Sequence, residues 1–211
     1  EVGLPAALEQ VIFQIGITAF LILVAFYGTE AYAAYGIGVQ ILSFSIVIGF
    51  GFSIAGATLV GQHLGAKNEE QAKRAGWGAM RLSIISMTFF GVLITIFAEP
   101  LARYMIDNDE VVRLTVIFIW LLGSMQPLMA IEFSLGGALR GAGDTKTPLA
   151  ITLTCLLFIR VFLAMIFFLL DARVEVIFST LVADYVVKGF LYVARFRSDR
   201  WMNALKTREA D

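Results

Sequence analysis

Five ionisable side chains sit inside long apolar runs of this 211-residue chain: Glu9, Glu132, Arg160, Asp184 and Lys188. A charge placed at the centre of a membrane span costs about 2.5–3.5 kcal/mol on insertion scales, so such residues either do ion or proton chemistry or neutralise one another. Asp184 and Lys188 are one helical turn apart and share a face. At ~1.5 Å rise per residue, Glu132 lies about 12 Å from Arg140 and Arg160 about 18 Å past Pro148, which sets them at similar depth. Pairing Asp184 with Lys188 along one helix, and Glu132 with Arg160 across two, makes these four intramembrane charge pairs and possible structural staples. Glu9 has no evident cationic partner, and a carboxyl desolvated in this way can take up a proton or a sodium ion. Glu9 and Glu132 are therefore the cation-coupling candidates.

Polar residues surround these positions. Gln10 and Gln14 on the first apolar run, with Gln40 and Ser43 on the second, are candidates for lining a wet cavity, although hydrogen bonding between helices accounts for them equally well. Gln126-Pro127 removes a backbone hydrogen bond and predicts a kink just before Glu132. Interrupted helices near the bilayer midplane are where transporters hold ions. His63 has no second ligand nearby, so no metal site is expected. Asp107-Asn108-Asp109-Glu110 reads as a helix cap, because the ligand spacing of a calcium loop is missing. Nucleotide-binding loops, catalytic triads and zinc spacings are absent as well, which argues against an enzyme and against a cofactor.

The elements that must position these residues follow from composition. Hydrophobic residues make up 59 % and charged residues 16 %, with a mean hydropathy of +0.82. Soluble domains hold roughly 45–50 % and 25 %, so this is an all-α integral membrane protein. Six spans are expected, at about 4–27, 31–62, 73–97, 110–139, 148–170 and 175–194, followed by a tail over 195–211; each approaches or exceeds the ~20 residues a bilayer core needs. The corner Leu139-Arg140-Gly141-Ala142-Gly143-Asp144-Thr145-Lys146-Thr147-Pro148 sets the sidedness. Gly141 and Gly143 suit positive φ there, and Asp144 or Thr145 can cap the next helix. With this corner and both termini inside, ten loop Lys and Arg are cytoplasmic (Lys67, Lys73, Arg74, Arg140, Lys146, Arg195, Arg197, Arg200, Lys206, Arg208). Only Arg103, Arg113 and Arg173 lie outside. That asymmetry predicts an N-in, C-in arrangement.

The second span carries Ser45, Gly49, Ser53, Ala57, Gly61 and Gly65 at every fourth position, a ridge for close helix packing that also suits bending. Together with Pro127, Gly49, Ser53, Ala57 and Gly61 are the hinge or packing candidates. Arg195-Phe196-Arg197 and Trp201 suit a headgroup anchor. Cys155 is the only cysteine, so no disulfide forms within the chain. The positive charges cluster by loop, and nucleic acid is not an expected partner. The chain opens at Glu1 without a methionine, which suggests a segment of a longer protein.

Three motifs in order, Gly3-Leu4-Pro5-Ala6-Ala7-Leu8-Glu9-Gln10, Leu59-Val60-Gly61-Gln62-His63-Leu64-Gly65-Ala66 and Leu139-Arg140-Gly141-Ala142-Gly143-Asp144-Thr145, resemble the C-terminal six-helix lobe of MATE (multidrug and toxic compound extrusion) transporters. His63 departs from the small polar residue expected there. The resemblance implies one lobe of a twelve-helix bundle in a bacterial or archaeal inner membrane, exporting cationic or amphipathic drugs in exchange for Na⁺ or H⁺. It also implies acids on the first and fourth helices at the coupling site, and a partner lobe, either the N-terminal one or a second copy. A lipid-linked saccharide flippase is the alternative transporter, disfavoured because only Arg160 and Lys188 are cations at depth. A non-transporting membrane scaffold is the alternative from another class.

Overall fold

A bilayer core offers backbone N–H and C=O groups no water, and apolar runs of about 20 residues satisfy them within the segment as helices. The computed structural model describes the backbone of residues 3–203, with the side chains of Glu9 and of the two ends left out. The first three rods are α1 (Gly3–Ala25), α2 (Thr29–Gly65) and α3 (Glu69–Ile96), followed by a short α4 (Ala98–Met105). The fourth rod is a broken pair, α5 (Asp109–Ser124) and α6 (Gln126–Gly141). The fifth runs through α7 (Lys146–Thr154), a π-helical segment (Cys155–Val161) and α8 (Phe162–Leu169). The sixth is α9 (Val174–Arg197), closed by a 3-10 turn (Arg200–Asn203). By length and composition α2, α3, α7–α8 and α9 can each cross a membrane, as can α5–α6 taken as one bent span. The outward faces are apolar, with Phe44, Val47 and Ile54 of α2 and Phe158 and Phe190 all more than half exposed. A face of that kind has lipid as its solvent.

Local chemistry sets the ends. Asn68 accepts from the Gln71 N–H at 3.1 Å and caps α3. Asn108 accepts from the Glu110 and Val111 N–H groups at 3.0 and 3.1 Å and caps α5. At the α6–α7 corner only Gly143 takes positive φ, at 82°. Gly141, expected to do the same, is the last residue of α6 instead and serves a different purpose.

That purpose is contact between α2 and α6. A Cβ added to Gly137 would collide with the Ser53 backbone, and one on Gly141 with the Ala57 backbone. From the other side, a Cβ on Gly56 would lie 3.0 Å from the Ser134 carbonyl and one on Gly61 3.1 Å from that of Gly141. The small-residue ridge of α2 thus meets a second glycine series on α6, and the two backbones touch. Gly49 admits the Phe133 ring in the same way. α2 is continuous over its 37 residues, so Gly49, Ser53, Ala57 and Gly61 serve packing here, and the break lies elsewhere.

It lies at Met125, where α5 and α6 meet at 54°. Pro127 has no N–H to give, and its ring crowds the carbonyl four residues back, at Gly123. Gln126, fully buried in the break, accepts from the Ser45 hydroxyl at 2.6 Å.

Two apolar clusters bracket the middle of the bundle. One centres on a chain of rings, with Phe20 5.8 Å from Tyr35, Tyr35 5.1 Å from Phe118 and Phe118 5.1 Å from Phe178. The other lies beside the Gly143 corner. There Phe196 stacks on Trp201 at 4.6 Å and meets Trp77 edge-on at 5.2 Å, and the Trp201 indole donates to the Phe196 carbonyl at 2.8 Å. Both side chains are fully buried. The expected headgroup anchor is therefore a core plug for its two aromatics, because Trp77 supplies a third ring to pack on. Arg195 donates to Asp144 at 2.6 and 2.9 Å, and Lys73 pairs with Asp199 at 2.6 Å, tying α9 to the corner and to α3.

Candidate functional site

Between the two clusters lies a cavity of about 470 Å³. Its walls are mostly aromatic and aliphatic, with Phe13 and Ile17 from α1, Tyr35, Leu42 and Phe50 from α2, Phe133 from α6 and Tyr185 and Tyr192 from α9. Gln10, Ser53, Glu132, Arg140, Thr152 and Arg160 are its polar lining. Apolar walls with a few convergent polar groups suit an amphipathic ligand.

Each charged group reaches this region for a local reason. Asp184 and Lys188 point inward from one face of α9. Glu132 lies on α6 six residues past Gln126 and comes out of the 54° bend. Arg160 depends on the π-helical segment. In an α-helix, residues five apart turn about 140° beyond a full circle and diverge. The wider i→i+5 turn instead brings Arg160 round toward the face that Cys155 buries.

The four groups form one chain of alternating charge. Arg160 Nη2 lies 3.0 Å from Asp184 Oδ2, Lys188 Nζ lies 3.2 Å from that same oxygen, and Lys188 Nζ lies 3.3 Å from Glu132 Oε1. Glu132 was expected to pair with Arg160. Its cation is Lys188, since Asp184 stands between Arg160 and the rest and takes the guanidinium for itself. The four differ in exposure: the Asp184 side chain is sealed at 0 % and Lys188 at 1 %, whereas Glu132 keeps 18 % open to the cavity. The ammonium also lies over the Phe13 and Tyr185 rings at 5.9 and 5.5 Å, and the Arg160 guanidinium over Tyr185 at 5.6 Å. Contacts of this kind offset part of the desolvation of a buried cation.

Of the cavity-lining candidates, the structure brings Gln10 to the wall. Gln14 and Gln40 are exposed, and Ser43 donates to the Gln40 carbonyl of its own helix at 2.6 Å. The side chain of Glu9 lies outside the described residues; its backbone is one turn before Phe13 on α1. Among the described residues no three of His, Cys, Asp and Glu converge on a metal-sized site. Sequence reasoning missed Tyr35, Tyr185 and Tyr192 of the wall, which carry no signal until α2 and α9 are brought face to face.

A family model described as MatE matches residues 5–166, covering most of this bundle and, of its charged centre, Glu132 and Arg160. The chain belongs to the MatE family. It is a multi-pass membrane protein with the fold of one MATE transporter lobe. A probable multidrug resistance protein NorM of Thermotoga maritima is 32 % identical over 219 residues, spanning 99 % of this chain and 46 % of the relative. A probable multidrug resistance protein YoeA of Bacillus subtilis is 30 % identical over 149 residues, 68 % of this chain and 31 % of the relative. The chain thus spans about half the length of the Thermotoga relative. Among solved structures, the MATE transporter ClbM in complex with Rb⁺ superposes with a TM-score of 0.87 at 21 % identity, over 95 % of this chain and 48 % of that one. A eukaryotic MATE transporter superposes at 0.84, also at 21 % identity, over 99 % and 48 %. At such identities the structures speak for the fold.

Proposed function

We propose that this lobe is the cation-handling half of a secondary active multidrug efflux antiporter that exchanges cationic or amphipathic drugs for Na⁺ or H⁺. The observation that carries the reading is the position of Glu132, a carboxylate held at the wall of a largely apolar cavity inside a membrane bundle. A proton or cation entering that cavity meets Glu132 before any other acid of the charged chain, because Asp184 is sealed behind Lys188. Glu9 on α1 is the second coupling acid in this reading. The drug class follows the multidrug resistance relatives. The partner is a second lobe, supplied by an N-terminal half or by another copy in the same orientation, since six spans return the chain to its starting side. Both termini and the Gly143 corner face the cytoplasm.

The test is export of ethidium from cells expressing the full-length protein. Glu132→Gln and Glu9→Gln should each cut gradient-driven efflux by about tenfold or more, the loss expected for a functional intramembrane acid. Undiminished efflux by both variants would remove the coupling assignment.

A further inference from the structure

The charged chain has an asymmetry that a static staple does not require. Lys188 stands between two carboxylates at almost equal distance, 3.2 Å from Asp184 and 3.3 Å from Glu132. Neither Lys188 Nζ nor either Asp184 oxygen makes a contact in hydrogen-bonding geometry among the described residues. Both cations lean on Oδ2 of Asp184, which leaves Oδ1 without a partner. Asp184 can therefore take the whole of the Lys188 charge after a small swing of the ammonium. Glu132, the acid open to the cavity, is ion-paired with Lys188 among the described residues.

We propose that Lys188 is the resident cation of the Glu132 site: it neutralises Glu132 when the cavity is empty, and it shifts onto Asp184 when a monovalent organic cation arrives and takes its place. The inference rests on the reading of Glu132 as the cation-handling acid. The incoming cation finds a carboxylate and the Phe13 and Tyr185 rings that Lys188 already overlies, so the site is shaped for an ammonium-sized charge beside aromatic faces. Arg160, 3.0 Å from Asp184, holds it in place, which makes Asp184 the fixed receptor and Lys188 the moving part. Lys188 is thus a positioning residue that sets affinity by competition. It keeps Glu132 from standing as an uncompensated charge while no ligand is bound.

The competition gives the two neighbours of Glu132 opposite signs, which a structural staple would not. Ethidium binding to the purified full-length protein is followed by fluorescence at about pH 8.5, where protons compete least. Lys188→Met keeps the apolar stem and removes the competitor, so ethidium should bind about tenfold tighter. Asp184→Asn combined with Arg160→Gln keeps the charge count balanced and leaves Lys188 nowhere to go except Glu132, so ethidium should bind about tenfold weaker. That weakening should vanish once Lys188→Met is added. Weaker or unchanged binding by folded Lys188→Met overturns the proposal. If Lys188→Met fails to fold, the balanced double variant carries the test alone, and unchanged or tighter binding overturns it. Glu132→Gln separates the two levels: unchanged binding there means that the underlying assignment of Glu132 is wrong, whereas weaker binding with equal losses at Lys188 and Asp184 removes only the competition.

Discussion

Replacing Gly137 by alanine tests the contact on which the bundle's geometry depends. The added Cβ would meet the Ser53 main chain, which has no rotamer by which to yield, so α2 and α6 must move apart. Overpacking of this kind costs about 1–3 kcal/mol. The same substitution gains roughly 0.5–1 kcal/mol by restricting the unfolded chain and favouring helix. Gly51 and Gly78 isolate that gain, since a Cβ on either meets nothing within 4 Å. The helix gain is common to both variants and cancels, so Gly137→Ala should fall below Gly51→Ala by the clash alone, about 2 kcal/mol. At about 2–4 °C per kcal/mol for a domain of this size, the two midpoints should differ by roughly 4–8 °C. The assay is thermal unfolding in one detergent, read by the helical signal and by loss of the monodisperse peak. Midpoints within a degree or so of each other would refute the claim that these backbones touch.

Two further outcomes follow from other parts of the fold. Asp144→Ala removes both the acceptor for the Thr147 N–H and the partner of Arg195, and should cost about 1–3 kcal/mol after allowing for the partial exposure of Arg195. Asp144→Asn keeps an acceptor and should fall between Asp144→Ala and the parent in thermal midpoint; equal midpoints for all three would show that the corner is held by something else. Sidedness is checked with a membrane-impermeant maleimide on single cysteines, with the buried Cys155 left as a silent background. Lys146→Cys should label only from the cytoplasmic face and Asp171→Cys only from the other, and the reverse pattern would invert the topology.

The all-helical build and the long apolar helices α2, α3 and α9 were legible because apolar length is a property of local sequence. The break at Met125 was legible as well, because proline interrupts a helix whatever surrounds it. The ridge on α2 could be read, but its counterpart could not: Gly137 and Gly141 lie beside a turn, and glycines near a turn suggest backbone freedom before they suggest packing. The π-helical segment had no signal at all in Cys155-Leu156-Leu157-Phe158-Ile159-Arg160-Val161, and without it only the depth of Arg160 could guide its pairing. Depth alone paired Arg160 with Glu132. The structure shows that direction around the helix decides, giving Arg160 to Asp184 and Lys188 to both acids. Phe196 and Trp201 were misread for a related reason, since arginines flanking aromatics suit a headgroup belt unless another ring, here Trp77, waits inside.

The account's central claim is that Glu132, at the wall of the cavity, is where the driving cation or proton acts. It is tested most directly by reconstituting the full-length protein in vesicles, imposing a pH or sodium gradient, and following ethidium accumulation for the parent and for Glu132→Gln. The parent should accumulate ethidium against its own gradient, and Glu132→Gln should at most let it equilibrate. Accumulation by Glu132→Gln to the parent's level, under either gradient, would contradict the claim.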